Sequence, residues 1–145
     1  MLAEGVFAPD FTLGNWSLQA ALRNGPVLLA FFKISCPTCQ LAFPYLDRLA
    51  SGVPVVAISQ DDRIGTEQFR RRFSISMPAE LDPPPYKASN LYGIRNVPSL
   101  FLVEPDGRIS MAATGFSKAH LEQLGDRFEV PVFRAGEEVP IFRPG

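Results

Sequence analysis

Cys36 and Cys39 are the only cysteines in the chain, separated by Pro37 and Thr38. Two thiols at this spacing, in the first turn of a helix, can close into a disulfide without moving the backbone. The unpaired N–H groups at a helix start also favour negative charge, and so a thiolate. The chemistry these residues suit is reversible thiol–disulfide exchange. Cys36 is the expected attacking sulfur, at or just before the helix start. Cys39 lies one turn further in and is expected to be shielded and to resolve the mixed disulfide. Pro37 suits the first helical position, where its missing N–H costs little. Lys33 is the nearest cation in sequence and a candidate for tuning the pair. A disulfide closing so small a loop constrains the unfolded chain very little, which disfavours a structural role. A structural zinc site normally needs four ligands, and only His120, about eighty residues on, is available to join the cysteines. No metal is expected, and no cofactor other than the redox-active disulfide. His120 itself reads as a surface residue.

The rest of the composition narrows the partners. Fourteen basic residues against fifteen acidic ones give a net charge of −1. No basic face is implied, so nucleic acid is not an expected partner. The densest basic run, Arg70-Arg71-Arg72, reads as a solvated helix face. Met1 to Gly5 has neither a basic region nor an apolar run, so no signal peptide is expected. No segment has the length of a membrane span. The expectation is a cytoplasmic monomer, with a clipped, exported mature form as the alternative.

The elements that must hold the cysteines follow from pattern. Phe11 to Leu13 and Trp16 to Leu18 read as a hairpin around Gly14-Asn15, and Ser17 can cap a short helix to Leu22. Val27 to Phe32 is a continuous apolar run, as in a central strand covered on both faces. Pro37 to Ala50 reads as a helix with Leu41, Tyr45 and Leu49 on one face and Pro44 inside it. Val53 to Ser59 is a second buried strand. Thr66 is expected to cap a helix bearing Phe69 and Phe73, and Ala79 to Leu81 is a short strand. A helix follows to about Tyr92. Ser99 to Glu104 and Arg108 to Thr114 flank the turn Pro105-Asp106-Gly107. Ser117 caps a last helix with Leu121, Leu124 and Phe128 inward. The expected fold class is α/β, a mixed sheet flanked by helices, in one domain over residues 1–128. Residues 129–145 form an extended tail expected to dock on that domain. Phe7 and Phe32 are the aromatic residues expected near the cysteines.

The chain resembles the thioredoxin-like superfamily, specifically the redoxin branch (AhpC/TSA, and TlpA/ResA-like thiol-disulfide oxidoreductases). Ala8-Pro9-Asp10-Phe11-Thr12-Leu13 is similar to that branch's opening motif. The Cys-x-x-Cys pair follows a strand, and Pro44 falls eight residues after Cys36. Gly93-Ile94-Arg95-Asn96-Val97-Pro98-Ser99 is similar to the segment carrying the family's cis-proline. The resemblance implies a thioredoxin-like fold with an N-terminal hairpin and one extra helix–strand insertion, over about Gln60 to Leu81. It implies a cis Val97-Pro98 bond, with Val97 offering backbone hydrogen bonds to an extended peptide. Pro37, Thr38, Val97 and Pro98 become the expected substrate contacts. The implied function is thiol–disulfide oxidoreductase activity in antioxidant defence or redox homeostasis. Partners would be protein or small-molecule disulfides and thiols, with an unidentified reductant.

Departures from the family pattern leave two alternatives. Ala30 and Ala42 stand where relatives carry acids that serve the second cysteine, so a redox-inactive binding module is one. A water, or a carboxylate from elsewhere in the chain such as Glu80 or Asp82, is the candidate substitute for those acids. A peroxiredoxin-like thiol peroxidase is the other, yet Lys33 and Leu29 occupy the positions of its peroxide-binding Thr and Pro.

Overall fold

The fold begins with sequence-local decisions. A computed structural model describes all residues, 1–145. Strands β1 (Thr12–Leu13) and β2 (Trp16–Ser17) form the N-terminal hairpin. Ser17 then caps α1 (Leu18–Leu22), its hydroxyl accepting the Ala20 N–H. Strand β3 (Val27–Phe32) is buried at every position, and α2 (Pro37–Leu49) follows it. Next come β4 (Val55–Ser59), α3 (Arg63–Arg72) and β5 (Ala79–Leu81). Helix α4 (Lys87–Leu91) leads to β6 (Ser99–Val103) and β7 (Ile109–Thr114). A short strand β8 (Phe116–Ser117) runs into α5 (Lys118–Phe128), and β9 (Phe142–Arg143) lies in the tail.

The central sheet has the order β5-β4-β3-β6-β7. β3 pairs in parallel with β4, and β4 with β5, whereas β6 and β7 add antiparallel. Alternation along β3 divides the core. Leu28, Ala30 and Phe32 face one side, with Cys39, Phe43 and Leu46 of α2 and with α5. Val27, Leu29 and Phe31 face the other, with Leu18 of α1, Ala88 and Tyr92. β3 is therefore clamped on both faces, and its C-terminal end carries the cysteine loop. No helix is long and apolar enough to cross a membrane.

Several expectations change. Asp62, not Thr66, caps α3: its carboxylate accepts the Gly65 N–H at 2.8 Å. Thr66 lies inside the helix, buried, and its hydroxyl bonds to that of Ser59 at 2.7 Å. The buried stripe of α2 is Cys39, Ala42, Phe43, Leu46 and Leu49. Leu41 and Tyr45 are half-buried on a neighbouring side, where Phe133 of the tail stacks on Tyr45. Phe7 is exposed and sits under the Arg108 guanidinium, away from the cysteines. His120 is half-buried, and its Nδ1 is enclosed without a hydrogen-bond partner. Arg70 is no free solvated cation, because it pairs with Glu67 and donates to the carbonyls of Ser76 and Met77.

Candidate active site

Cys36 is the N-cap of α2, in extended backbone, with Pro37 beginning the helix. Its Sγ accepts the Cys39 N–H at 3.1 Å, one of the donors a helix start leaves unpaired. As a thiol, the same sulfur donates to the Val97 carbonyl at 3.3 Å. The N–H contact survives loss of the proton. Cys36 is half-exposed and Cys39 is fully buried, so only the first sulfur is open to a partner. Both are free thiols in this structure. The Val97–Pro98 bond is cis, and Pro98 is buried at the start of β6. Pro37 is exposed beside Cys36, whereas Thr38 is buried and bonded to the tail.

Burial pushes the Cys39 thiol well above its ordinary range, and the hydrogen bond with Cys36 and that sulfur's charge push it further. A backbone hydrogen bond from Lys33 opposes this. Lys33 therefore reaches the pair through its main chain, while its side chain is exposed at the end of β3. Ala30 and Ala42 pack in the same buried cluster as Cys39 and put methyl groups where an acid would act. Glu80 and Asp82 do not replace that acid. Glu80 pairs in register with Ile58, on the α1/α4 face of the sheet, opposite Cys39. Asp82 is buried, its carboxylate taken by the N–H groups of Ala88 and Ser89 and the Ser89 hydroxyl. Phe32 lies under α2 in the core, stacked on Phe43 at 4.4 Å between centroids.

Two further residues hold the loop that carries Cys36. The Asp61 carboxylate accepts the Ile34 N–H at 2.8 Å, and the Gln40 amide donates to the Ile34 carbonyl at 3.0 Å. Together they pin the loop from Lys33 to Cys36 between β4 and α2. Asp61 reads in sequence only as the start of a loop. The one signal available was an acidic residue just past a buried strand, at the sheet edge where parallel strands leave their loops.

Residues 5–112 match the AhpC/TSA family. The chain belongs to the AhpC/TSA family. Among its relatives, this AhpC/TSA chain is 28% identical over 138 residues to the thiol-disulfide oxidoreductase ResA of Geobacillus thermodenitrificans, covering 85% of this chain and 79% of that one. It is 27% identical to ResA of Bacillus subtilis, covering 79% of this chain and 69% of the relative. A structure from Chlorobium tepidum described as a thiol:disulfide interchange protein DsbE superposes with a TM-score of 0.76 at 27% identity, over 88% of this chain and 96% of that one. The peroxidoxin BcpB of Mycobacterium tuberculosis shares the fold, with a TM-score of 0.75 at 20% identity over 89% of this chain and 97% of its own. With the two cysteines in Cys-x-x-Cys spacing after the central strand, this AhpC/TSA member is a thiol-disulfide oxidoreductase.

Proposed function

We propose that this oxidoreductase exchanges electrons with protein disulfides through Cys36 as nucleophile and Cys39 as resolving thiol. The Cys36 thiolate attacks one sulfur of the partner's disulfide. A Cys36–partner disulfide forms, and the partner's other sulfur leaves as a thiolate. Cys39 then loses its proton and attacks the Cys36 sulfur. The partner's second thiolate leaves, and Cys36–Cys39 remains as the disulfide. The partner gains two electrons and this chain loses them, so an external dithiol must reset the pair. Run backwards, the same steps oxidise a partner dithiol. No redox group other than the cysteines is used.

The observation that carries this reading is the contrast between the two sulfurs. Cys36 is a half-exposed N-cap, and Cys39, one turn away, is fully buried with its thiol form favoured. Insulin reduction driven by a dithiol tests it. Wild type should turn over, and Cys36→Ser should be inactive. Cys39→Ser should stall as a mixed disulfide through Cys36, seen as an added partner mass that a reductant removes. Turnover by Cys36→Ser would overturn these roles.

A further inference from the structure

The last residues of the chain lie across this site. The Ile141 carbonyl accepts the Lys118 N–H at 3.0 Å. Phe142 and Arg143 pair antiparallel with Ser117 and Phe116. The Pro144 carbonyl then accepts the Thr38 hydroxyl at 2.7 Å, in the turn between the two cysteines. Gly145 rests on the Val97 backbone so closely that a Cβ there would meet the Val97 carbonyl carbon at 2.9 Å. Gly115, at φ +75°, leaves room where a Cβ would collide with the Arg143 carbonyl. One extended segment thus touches the helix turn of the active cysteine and the strand-entry backbone opposite it.

How the segment is held matters as much as where it lies. Its contacts run through main-chain atoms, while its large side chains stay in water: Ile141 is 82% exposed and Phe142 57%. Little apolar surface holds it down, and its backbone contacts can be made by any extended chain. Its root is fixed differently. Phe133 stacks on Tyr45 with centroids 5.0 Å apart, and Arg48 grips Glu137 with two hydrogen bonds of 2.7 Å. A tethered segment with weak contacts acts as a high local concentration of a weak ligand.

We infer that residues 140–145 are a displaceable intramolecular strand that occupies the seat of a partner's extended segment, so protein disulfides compete with the tail for Cys36. Small disulfides escape this competition, because Cys36 stays half-exposed with the tail in place. The inference rests on the exchange activity proposed above, and its test separates the two.

The test compares the full chain with a chain lacking residues 140–145, in their reduced forms, against insulin and against Ellman's reagent. Removing the tail should speed reaction with insulin by about tenfold and change the reaction with Ellman's reagent by less than about twofold. A synthetic peptide of residues 139–145 should bind the shortened chain and restore the slower insulin rate. Glu137→Ala in the full chain, which removes one of the root's anchors without shortening anything, should move the insulin rate the same way, and it carries the test if the shortened chain does not fold. An unchanged ratio of the two rates, or a peptide that does not bind, overturns the inference. If neither chain reacts with either disulfide, the exchange activity is what fails. Fluorescence anisotropy of a labelled peptide on the shortened chain then decides the tail alone: binding upholds it and no binding overturns it.

Discussion

Cys39 has no base. Ala30 and Ala42 share its buried cluster and offer only methyl groups, and burial favours its thiol over its thiolate. Two pH effects follow. In the proposed exchange the resolving step needs the Cys39 thiolate, so the mixed disulfide should shorten its life as pH rises, when followed by acid quench and mass spectrometry. The folded thiol also holds its proton more tightly than the unfolded one, whose ordinary value is 9.0. Stability of the reduced protein is therefore full below about 9 and should fall as pH climbs above it. Cys39→Ala should flatten that fall in urea titrations. Peroxide chemistry is tested at the same scale. Leu29 is buried on the far face of β3, and the Lys33 side chain is exposed, so neither offers a peroxide hydroxyl or backbone clamp. Hydrogen peroxide should be consumed no faster than by a free thiol, and rapid consumption in a coupled assay would contradict that placement. The placement of Cys36 at a helix start was legible because its determinants are local: two cysteines, a proline and a helix start within four residues. Asp61 was not, because it meets Ile34 across 27 positions of chain.

At the scale of elements, capping shows what sequence reading does and does not reach. Ser17 and Ser117 were legible as caps, since each serine directly precedes an amphipathic run. Asp62 was missed in favour of Thr66 because both fit the residue preference for a cap. The Asp62 carboxylate on the Gly65 N–H and the Ser59 hydroxyl that bonds Thr66 within the core separate them. The α2 face was misjudged for a related reason. Tyr45 looks like a core position until Phe133 arrives from 88 residues away to cover it. That docking has its own pH signature. The Arg48 guanidinium and the Arg134 N–H hold the Glu137 carboxyl down to about 2, against an ordinary 4.5. A depressed carboxyl contributes stability above its unfolded value and loses it as pH falls through its folded one. The root of the tail should therefore loosen between about pH 4.5 and 2, read as a falling protection factor at the Lys118 amide, the exchange rate being corrected for its intrinsic pH dependence. Glu137→Gln should loosen it at neutral pH instead.

Across the whole molecule, the active turn is only as rigid as the packing beneath it. α2 is seated by Phe43, which is fully buried, 4.4 Å from the Phe32 ring and edge-on to Phe69 at 5.6 Å. This cluster joins β3, α2 and α3. The two-faced pattern of β3 was readable from its unbroken apolar run, but the partners on each face depend on strand order, which no local pattern encodes. Phe43→Ala removes a ring from a dry, close-packed site and should cost about 3–5 kcal/mol. That is a large share of the 5–15 kcal/mol typical of a whole domain. Phe7→Ala is the control, since Phe7 is 60% exposed and stacked only under Arg108. It should cost less than about 1 kcal/mol. Urea unfolding of the reduced proteins measures both. Loss of the Phe43 ring should also reach the chemistry, because Cys39 lies one turn before it and shares its cluster. A loosened seat admits water to that sulfur, so alkylation of Cys39 by iodoacetamide should speed up in Phe43→Ala far more than alkylation of the already open Cys36. Equal stability losses in the two variants would mean that Phe43 does not seat the helix. A stability loss with no change at Cys39 would mean that the turn holds its geometry independently of the core below it.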